Sequence, residues 1–373
     1  MKDSSHISAI VLAAGASTRM GSAKQLLHLG GRRVLQHVLD NVRRSAASEM
    51  ILVLGHAAEE IQSKLELKGV QVVMNDDYRQ GMGSSLKAGL SAIDQQTKAA
   101  LIILADQPFV RGETLDRLIA EHSRTKAQIV IPTYNGFRGN PVLLDQAVFA
   151  EVMALSGDIG CRAIFGNHLE GIVKLPVDDA GVLLDLDQQS DYQRLRGATA
   201  HWPESFVRLQ KLEIRESTGS EARPAPELII VGKDAMALAL AKLARFMQFT
   251  VTMVDAFATT AEIPEADRVL HVLDFSLLGP SSDRHVVVAS RGACDEEAIE
   301  QAGRVNSSYI ALVTNRKRGQ EVLRALELKG LRREKLASVR VPAGIEIGAA
   351  TPQEIALSIM AELIAERRKR ENA

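Results

Sequence analysis

Short apolar runs alternate with longer amphipathic segments along the first 196 residues of the chain. The apolar runs are IVLAA, MILVLG, VQVVMN, ALIILAD and QIVIPTY, and the amphipathic segments span 33–46, 57–68, 83–95 and 112–125. Runs of this length predict strands, and the longer segments predict helices. Strands that alternate with helices form a mostly parallel sheet covered on both faces, which binds ligands at the carboxyl ends of its strands.

The same alternation resumes after residue 226. Predicted strands are ELIIVG, FTVTMVD, VLHVLD, HVVVAS and SYIALVT, with helices at 234–247, 295–304 and 316–328 and a closing helix that Thr351 caps and Pro352 begins. Between the two halves the periodicity fades, and about 215–226 is rich in Ser, Gly, Pro and charge, which is typical of a linker. We therefore predict two α/β domains, 1–200 and 227–373, joined by a connecting segment and linker at 201–226.

Composition narrows the class of protein. A chain of 373 residues with 46% hydrophobic and 24% charged residues is typical of two globular domains. A net charge of −1 gives no basis for binding nucleic acid or a membrane surface. Cys161 and Cys294 are far apart in sequence and outside any CxxC spacing, which argues against a disulfide framework and a structural zinc site. With neither a signal-peptide layout nor an apolar run of about 18 residues, we expect a cytoplasmic protein.

The loop after the first predicted strand is the strongest sign of chemistry. In IVLAAGASTRMGSAKQLL, the small residues after Leu12, which are Ala13, Ala14 and Gly15, leave backbone N–H groups open to phosphate oxygens. A tight turn would explain these small residues equally well. It needs no cations, however, whereas a triphosphate needs the charges that Arg19 and Lys24 supply.

Carboxylates follow two other segments. Asp106 comes directly after the strand ALIILA, where we predict a Mg²⁺ ligand; the alternative is a helix N-cap. In LLDLDQQSDY, Asp185 and Asp187 share one side of an extended segment and offer further ligands. The loop before the helix in GMGSSLKAGL places Gly83, Ser84 and Ser85 where they can bind a nucleotide or merely cap the helix.

These motifs together resemble the MobA-like nucleotidyltransferases. LAAGxSxRMGxxKxLL, LxDQP and GMGxSLxxGL are matched, while LLDLDQQSDY is similar to the family element DIDTPEDY but has Gln188-Gln189 for Thr-Pro. FRGNPVLL at 137–144 and SGDIGCR at 156–162, which are only loops on their residues alone, correspond to the family's acceptor side. The resemblance implies a nucleotide-diphospho-sugar transferase-like fold and transfer of a nucleoside monophosphate to a phosphorylated acceptor.

The resemblance is strongest to the molybdopterin cytidylyltransferase branch, where Ala14 favours CTP and the acceptor is molybdopterin. Lys24 and Arg19 would neutralise the departing pyrophosphate, with Asp106 on the metal. Because an exposed loop lysine adds little to folding, loss of Lys24 should lower turnover far more than stability. Two alternatives stay open: another phosphorylated acceptor such as a sugar phosphate, and a chaperone that binds molybdenum cofactor without catalysis.

The second domain has the layout of a Rossmann-like dinucleotide-binding unit, with Gly232 at the first turn and Asp255 about 23 residues later. Asp234 and Ala237 stand where the fingerprint has glycines, and Asp234 would place a carboxylate beside the pyrophosphate. ASRGACDEEAI and GAATPQEIALSIMAELIAERR resemble the xanthine dehydrogenase accessory family, which implies a role with molybdenum cofactor and a molybdenum hydroxylase as partner. Arg316 is a candidate for binding a pterin phosphate, or one residue of a solvated basic helix start.

Overall fold

The computed structural model describes residues 6–15, 24–157, 160–186, 192, 212–214 and 225–371. The chain forms two compact units, residues 1–134 with 138–207, and residues 135–137 with 208–373. Each unit is built on a sheet flanked by helices, so the predicted two-domain α/β class is confirmed. The domain boundaries at 200 and 226 stay predictions. Among the described helices, none is long and apolar enough to cross a membrane.

The first unit contains a mostly parallel sheet in the order β10-β7-β9-β6-β1-β4-β5. β1 pairs with β4 on one side and β6 on the other, both parallel. The strands are β1 Ile7–Ala13, β2 His28–Leu29, β3 Arg32–Arg33, β4 Glu49–Leu54, β5 Gln71–Met74, β6 Ala99–Leu104, β7 Ile129–Tyr134, β8 Phe137–Arg138, β9 Val142–Asp145 and β10 Ile172–Pro176.

Helices bury both faces of this sheet. Every residue of β1 is buried, and alternate residues enter two different apolar clusters: Ile7, Ala9 and Val11 lie in one, and Ile10 and Leu12 in the other. This continuous burial explains why β1 is apolar throughout rather than alternating. The helices are α1 Val34–Arg43, α2 Ala58–Ser63, α3 Met82–Ser91, α4 Gly112–Thr125 and α5 Phe149–Ala154.

One segment interpreted as a loop is a strand. β9, within FRGNPVLL, pairs antiparallel with both β6 and β7 and is mostly buried. The sequence-based interpretation was wrong because Gly139, Asn140 and Pro141 mark a turn, while the apolar run after them has only three residues before Asp145. Such a short run becomes a strand only because neighbouring strands supply its hydrogen bonds.

The second unit has the strand order of a doubly wound dinucleotide-binding sheet. Its order is β11-β14-β13-β12-β15-β16-β17, in which every pairing is parallel except that of β11 with β14. The strands are β11 Leu212–Ile214, β12 Glu227–Val231, β13 Thr250–Val254, β14 Arg268–Leu270, β15 Arg284–Val288, β16 Tyr309–Leu312 and β17 Val339–Arg340. β11 lies within 201–226, so part of that connecting segment belongs to the second sheet; the rest, apart from 225–226, lies outside the described residues.

The helices of the second unit are α6 Ala235–Phe246, α7 Asp295–Arg304, α8 Arg316–Leu328, α9 Arg333–Ala337 and α10 Pro352–Glu371. α6 and α10 pack in one apolar cluster with alternate residues of β12. The predicted cap at Thr351 is confirmed: the Glu354 N–H donates to its Oγ1 at 3.2 Å, and its own N–H donates to the Glu354 carboxylate at 2.8 Å. This reciprocal pair is a capping box.

Candidate active site

The order of strands in the first sheet places a crevice between β1 and β6. The chain passes from β1 to β4 and β5 on one side, then returns to β6 on the other side of β1. Ligands of such sheets bind where the order reverses, outside the carboxyl ends of the strands. A cleft of about 230 Å³ opens there. It is lined by Leu12, Ala13, Ala14, Gly15, Lys24, Gln25, Tyr78, Gly81, Met82, Ser85, Leu104, Ala105 and Asp106.

The loop after β1 keeps its side of the cleft open. Ala13 and Ala14 are buried, whereas Gly15 is exposed. A Cβ atom built on Gly15 would meet no heavy atom within 4 Å, so packing of the described residues does not require glycine at this position. Small residues here leave room for a ligand to approach the backbone. The four predicted residues from Leu12 to Gly15 therefore lie together, and their contact with a nucleotide stays a prediction.

Gln25 ties this loop to the turn that follows it. Its side chain is buried, and Nε2 donates to the carbonyl oxygens of Ala13 and Gly15, each at 3.2 Å. One amide therefore holds the beginning of the loop against a residue ten positions later. This residue was not predicted from the sequence, because its partners are backbone atoms that no motif identifies.

Lys24 and Asp106 form an ion pair at the cleft, with Lys24 Nζ 2.5 Å from Asp106 Oδ2. Their side chains are 19% and 15% exposed, so the expectation of an exposed loop lysine was wrong. Asp106 follows the end of β6, and α4 begins only at Gly112 with Arg111 as its N-cap. The alternative interpretation of Asp106 as a helix cap is therefore wrong as well.

Asp185 lies in a segment fastened to the residues around Asp106. The Leu186 N–H donates to the Asp106 carbonyl oxygen at 3.0 Å, and Gln107 Nε2 donates to the Asp185 carboxylate. A Cβ on Gly181 would lie 2.4 Å from the Phe109 carbonyl oxygen, so only glycine permits this approach. The fold thus brings Asp185 to the segment that carries Asp106. The predicted residues Arg19 and Asp187 lie outside the described residues.

The donor set here fits a hard divalent cation. Asp106 and Asp185 supply carboxylate oxygens, and Mg²⁺ is held by one or two carboxylates together with phosphate oxygens of a substrate. Within the described ranges, no group of three or more His, Cys, Asp or Glu side chains could hold a metal ion.

The GMGSS loop differs in detail from the prediction. α3 begins at Met82, so Gly83 and Ser84 lie in its first turn, and the cleft is lined instead by Gly81, Met82 and Ser85. The Gly83 N–H donates to the Gly157 carbonyl oxygen at 3.2 Å. Gly81 has φ of 103°, which favours glycine. Met82 was missed because the predicted helical segment began only at residue 83.

Ser84 and Ser85 are held by a neighbouring amide. Asn75 Nδ2 donates to both hydroxyl oxygens, at 2.9 and 3.0 Å, and the Ser84 hydroxyl donates to the Gly81 carbonyl oxygen at 2.8 Å. These contacts fix the start of α3 beside the cleft. Binding of a nucleotide by Gly83, Ser84 and Ser85 stays a prediction.

In the second unit, the N-terminus of α6, where a dinucleotide-binding unit would hold the pyrophosphate, is capped by an aspartate side chain of the protein itself. Asp234 caps α6, with Oδ1 accepting from the Ala237 N–H at 2.9 Å and Oδ2 from Arg291 Nε at 3.0 Å. Gly232 has φ of 110°, and a Cβ there would lie 2.5 Å from the Ala289 carbonyl oxygen, which explains the glycine structurally. A carboxylate at this helix N-terminus repels the phosphates that it would otherwise attract.

Asp255, which follows the end of β13, also makes contacts within the protein. Asp255 Oδ1 accepts from the Phe257 and Ala258 N–H groups, each at 2.9 Å, and lies 3.0 Å from Lys233 Nζ. In dinucleotide-binding units, the corresponding carboxylate binds a ribose hydroxyl. The residues present therefore do not fit NAD(P) in the manner that the strand order implies.

Arg316 begins α8 on the surface. It is exposed, and the helix is capped by Asn315, whose side chain accepts from the Arg318 N–H at 2.9 Å. This arrangement favours the solvated helix start, and a role for Arg316 in binding a pterin phosphate stays a prediction.

Comparison with known proteins agrees with both halves of the chain. Residues 9–172 match the MobA-like NTP transferase domain, and residues 228–363 match the XdhC Rossmann domain. Nicotine blue oxidoreductase of Paenarthrobacter nicotinovorans is 30% identical over 198 residues, which are 51% of this chain and 96% of that protein. The chain belongs to the MobA-like NTP transferase family. An XdhC Rossmann domain follows, so the resemblances stated from the sequence are confirmed.

Two further proteins match about a third and about half of this MobA-like protein. Bifunctional protein GlmU of Trichlorobacter lovleyi is 34% identical over 128 residues, which are 34% of this chain and only 28% of GlmU. Rv0371C of Mycobacterium tuberculosis, solved in complex with manganese, is 33% identical and matches 52% of this chain and all of its own, with a TM-score of 0.46.

Proposed function

We propose that this protein transfers CMP from CTP to the phosphate of molybdopterin in a Mg²⁺-dependent reaction. The observation that carries the proposal is the Lys24–Asp106 pair in the cleft at the carboxyl ends of β1 and β6. A cation and a carboxylate side by side, next to a loop of small residues, suit a metal–triphosphate complex better than a neutral metabolite.

The residues have distinct roles in this proposal. The backbone of Ala14 and Gly15 binds the triphosphate, while Lys24, with Arg19, neutralises charge on the departing pyrophosphate. Asp106 and Asp185 hold Mg²⁺, with Asp187 as a further ligand. When bound, Mg²⁺ draws electron density from the phosphate oxygens and orients them. Because the acceptor phosphate is already an anionic nucleophile, these residues mainly align two substrates.

The choice of CTP and molybdopterin rests on resemblance. Ala14 matches the LAAG form of the cytidylyltransferase branch, and the XdhC Rossmann domain in the same chain supports a role in molybdenum cofactor maturation. The second domain would retain the product or pass it to a molybdenum hydroxylase. A sugar phosphate as acceptor, or a cofactor chaperone without turnover, would use the same cleft.

A second candidate function is suggested by one relative. Nicotine blue oxidoreductase, whose name describes a redox enzyme, is matched over 96% of its length. Reduction of an organic substrate by NAD(P)H needs no ion-paired lysine and aspartate at the cleft, and the Rossmann unit does not fit the dinucleotide. Oxidoreductase activity is therefore the second candidate.

The test is pyrophosphate release by purified protein with Mg²⁺ and each NTP, with molybdopterin, with a sugar phosphate or with no acceptor, and NAD(P)H oxidation is followed in parallel. Release that needs both CTP and molybdopterin, and that is lost in Asp106→Asn, would support the proposal. Release with a sugar phosphate instead would change the acceptor. Nucleotide binding without release would favour the chaperone, and NAD(P)H oxidation would favour the second candidate.

A further inference from the structure

Gln107 is almost fully buried beside the proposed metal ligands. It is 2% exposed and follows Asp106 directly. Its Nε2 donates to the carboxylate of Asp185 and, at 3.4 Å, to the carbonyl oxygen of Val182. Its Oε1 is buried and meets no donor among the described residues. A buried polar atom without a partner costs free energy, so an apolar side chain would suit packing better.

The neighbours of Gln107 fix the orientation of its amide. The groups that face Nε2, a carboxylate and a carbonyl, both only accept hydrogen bonds. Turning the amide by 180° would place Oε1 against these two oxygens and lose both hydrogen bonds. Gln107 therefore acts as a donor to Asp185, although its Oε1 meets no donor in the part of the chain that the structure describes.

We propose that Gln107 is a positioning residue that orients the Asp185 carboxylate toward a divalent cation shared with Asp106. It acts together with the Leu186 N–H, which holds the same segment to the Asp106 carbonyl oxygen. Asp185 is exposed, so a buried donor that reaches its carboxylate restricts the directions in which that carboxylate can turn. The role of the metal rests on the proposed function, whereas the contact between Gln107 and Asp185 does not.

The test measures Mn²⁺ affinity by electron paramagnetic resonance in the presence of CTP and without acceptor. Gln107→Met keeps the length of the side chain, removes the donor and also removes the unsatisfied oxygen. Loss of an outer hydrogen-bond partner weakens metal binding about 10- to 100-fold, and we expect this range for Gln107→Met. Gln146→Met, on an exposed glutamine, is the matched control and should bind as the wild type does.

A double-mutant cycle separates positioning from a structural role. If Gln107 acts through Asp185, adding Gln107→Met to Asp185→Ala should weaken Mn²⁺ binding no further, and the turnover of Gln107→Met alone should recover at saturating metal. Wild-type affinity in Gln107→Met, or an equal loss in both backgrounds, would overturn the proposal. Gln107→Asn, whose amide falls one methylene short of Asp185, should show the same loss and serves if the Met variant does not fold.

Failure of the proposed function gives a different result. Wild-type protein that binds Mn²⁺ with CTP but releases no pyrophosphate with molybdopterin would contradict the acceptor, while the Mn²⁺ data on Gln107 would stand.

Discussion

Replacing Lys24 by Met should raise the affinity of the nucleotide-free protein for a divalent cation, even though it should lower turnover. Lys24 Nζ lies 2.5 Å from Asp106 Oδ2, on the carboxylate that we assign to the metal. Both side chains are largely buried, so solvent screens the pair only weakly. A metal ion that binds before the nucleotide must therefore displace the ammonium group from Asp106.

The size of the effect follows from this contact. Two unit charges about 3 Å apart attract by about 5 kcal/mol at an effective dielectric constant of about 20. Desolvation offsets much of this attraction, and hydrogen bonds between charged groups contribute about 1.5–3 kcal/mol net. Since about 1.4 kcal/mol corresponds to a factor of ten, Lys24→Met should bind Mn²⁺ about 10- to 100-fold more tightly without nucleotide.

The assay is a Mn²⁺ titration of wild type and Lys24→Met, with and without CTP. The matched control is Lys64→Met, which breaks a surface ion pair with Glu60 and should leave Mn²⁺ affinity unchanged. With CTP present the advantage of Lys24→Met should shrink, because the triphosphate attracts Lys24 in the wild type. Unchanged or weaker Mn²⁺ binding by nucleotide-free Lys24→Met would refute the idea that Lys24 competes with the metal for Asp106.

Three further predictions concern groups outside this pair. Burial raises the pKa of Asp295 above its unfolded value of about 3.9, so the folded state holds the proton more tightly and loses stability as pH rises through the folded pKa. The stability advantage of Asp295→Asn over wild type should therefore grow from about pH 4 toward neutral pH in urea titrations; an advantage independent of pH would contradict this. Burial raises the pKa of Cys161 to about 11, and Cys294 is also buried, so neither thiol should react with an aromatic disulfide reagent within minutes at about pH 8 before denaturation; a fast thiol in native protein would count against it. NADPH should show no fluorescence enhancement with the wild type, and Asp234→Gly should bind it at least about tenfold better because the carboxylate at the start of α6 is gone. Tight NADPH binding by the wild type would contradict the conclusion that Asp234 prevents dinucleotide binding.

Helices whose ends are marked by local chemistry were predictable from the sequence. Predicted helices at 112–125, 295–304 and 316–328 coincide with α4, α7 and α8. α8 starts after the capping side chain of Asn315, and α7 starts with three acidic residues that favour the N-terminal end of the helix dipole. By contrast, the helix predicted at 57–68 ends at Ser63, where its apolar pattern continues but the chain turns.

The site was predictable only as far as its motifs reach. The loop after β1 and Asp106 follow strands whose apolar pattern is local, so their place at one edge of the sheet could be foreseen. The roles of Gln25 and Gln107 could not be foreseen, because the role of a buried glutamine becomes apparent only from its hydrogen-bond partners in the folded structure. The partners of Gln25 are backbone oxygens at the start of the loop, and those of Gln107 lie 75 and 78 residues away along the chain. β9 was missed for a similar reason, since its partners are distant strands.

The two units show why the fold alone does not assign the chemistry. Each sheet reverses its strand order beside one parallel strand, which is β1 in the first unit and β12 in the second, and both should bind a ligand there. At β1, small residues and the Lys24–Asp106 pair line an open cleft. At β12, Asp234 fills the start of α6 and pairs with Arg291. Equivalent positions in the two sheets thus carry different side chains, and it is to those in the first unit that we assign nucleotide binding. If the second unit binds molybdenum cofactor, it must therefore do so with residues other than those between β12 and the start of α6.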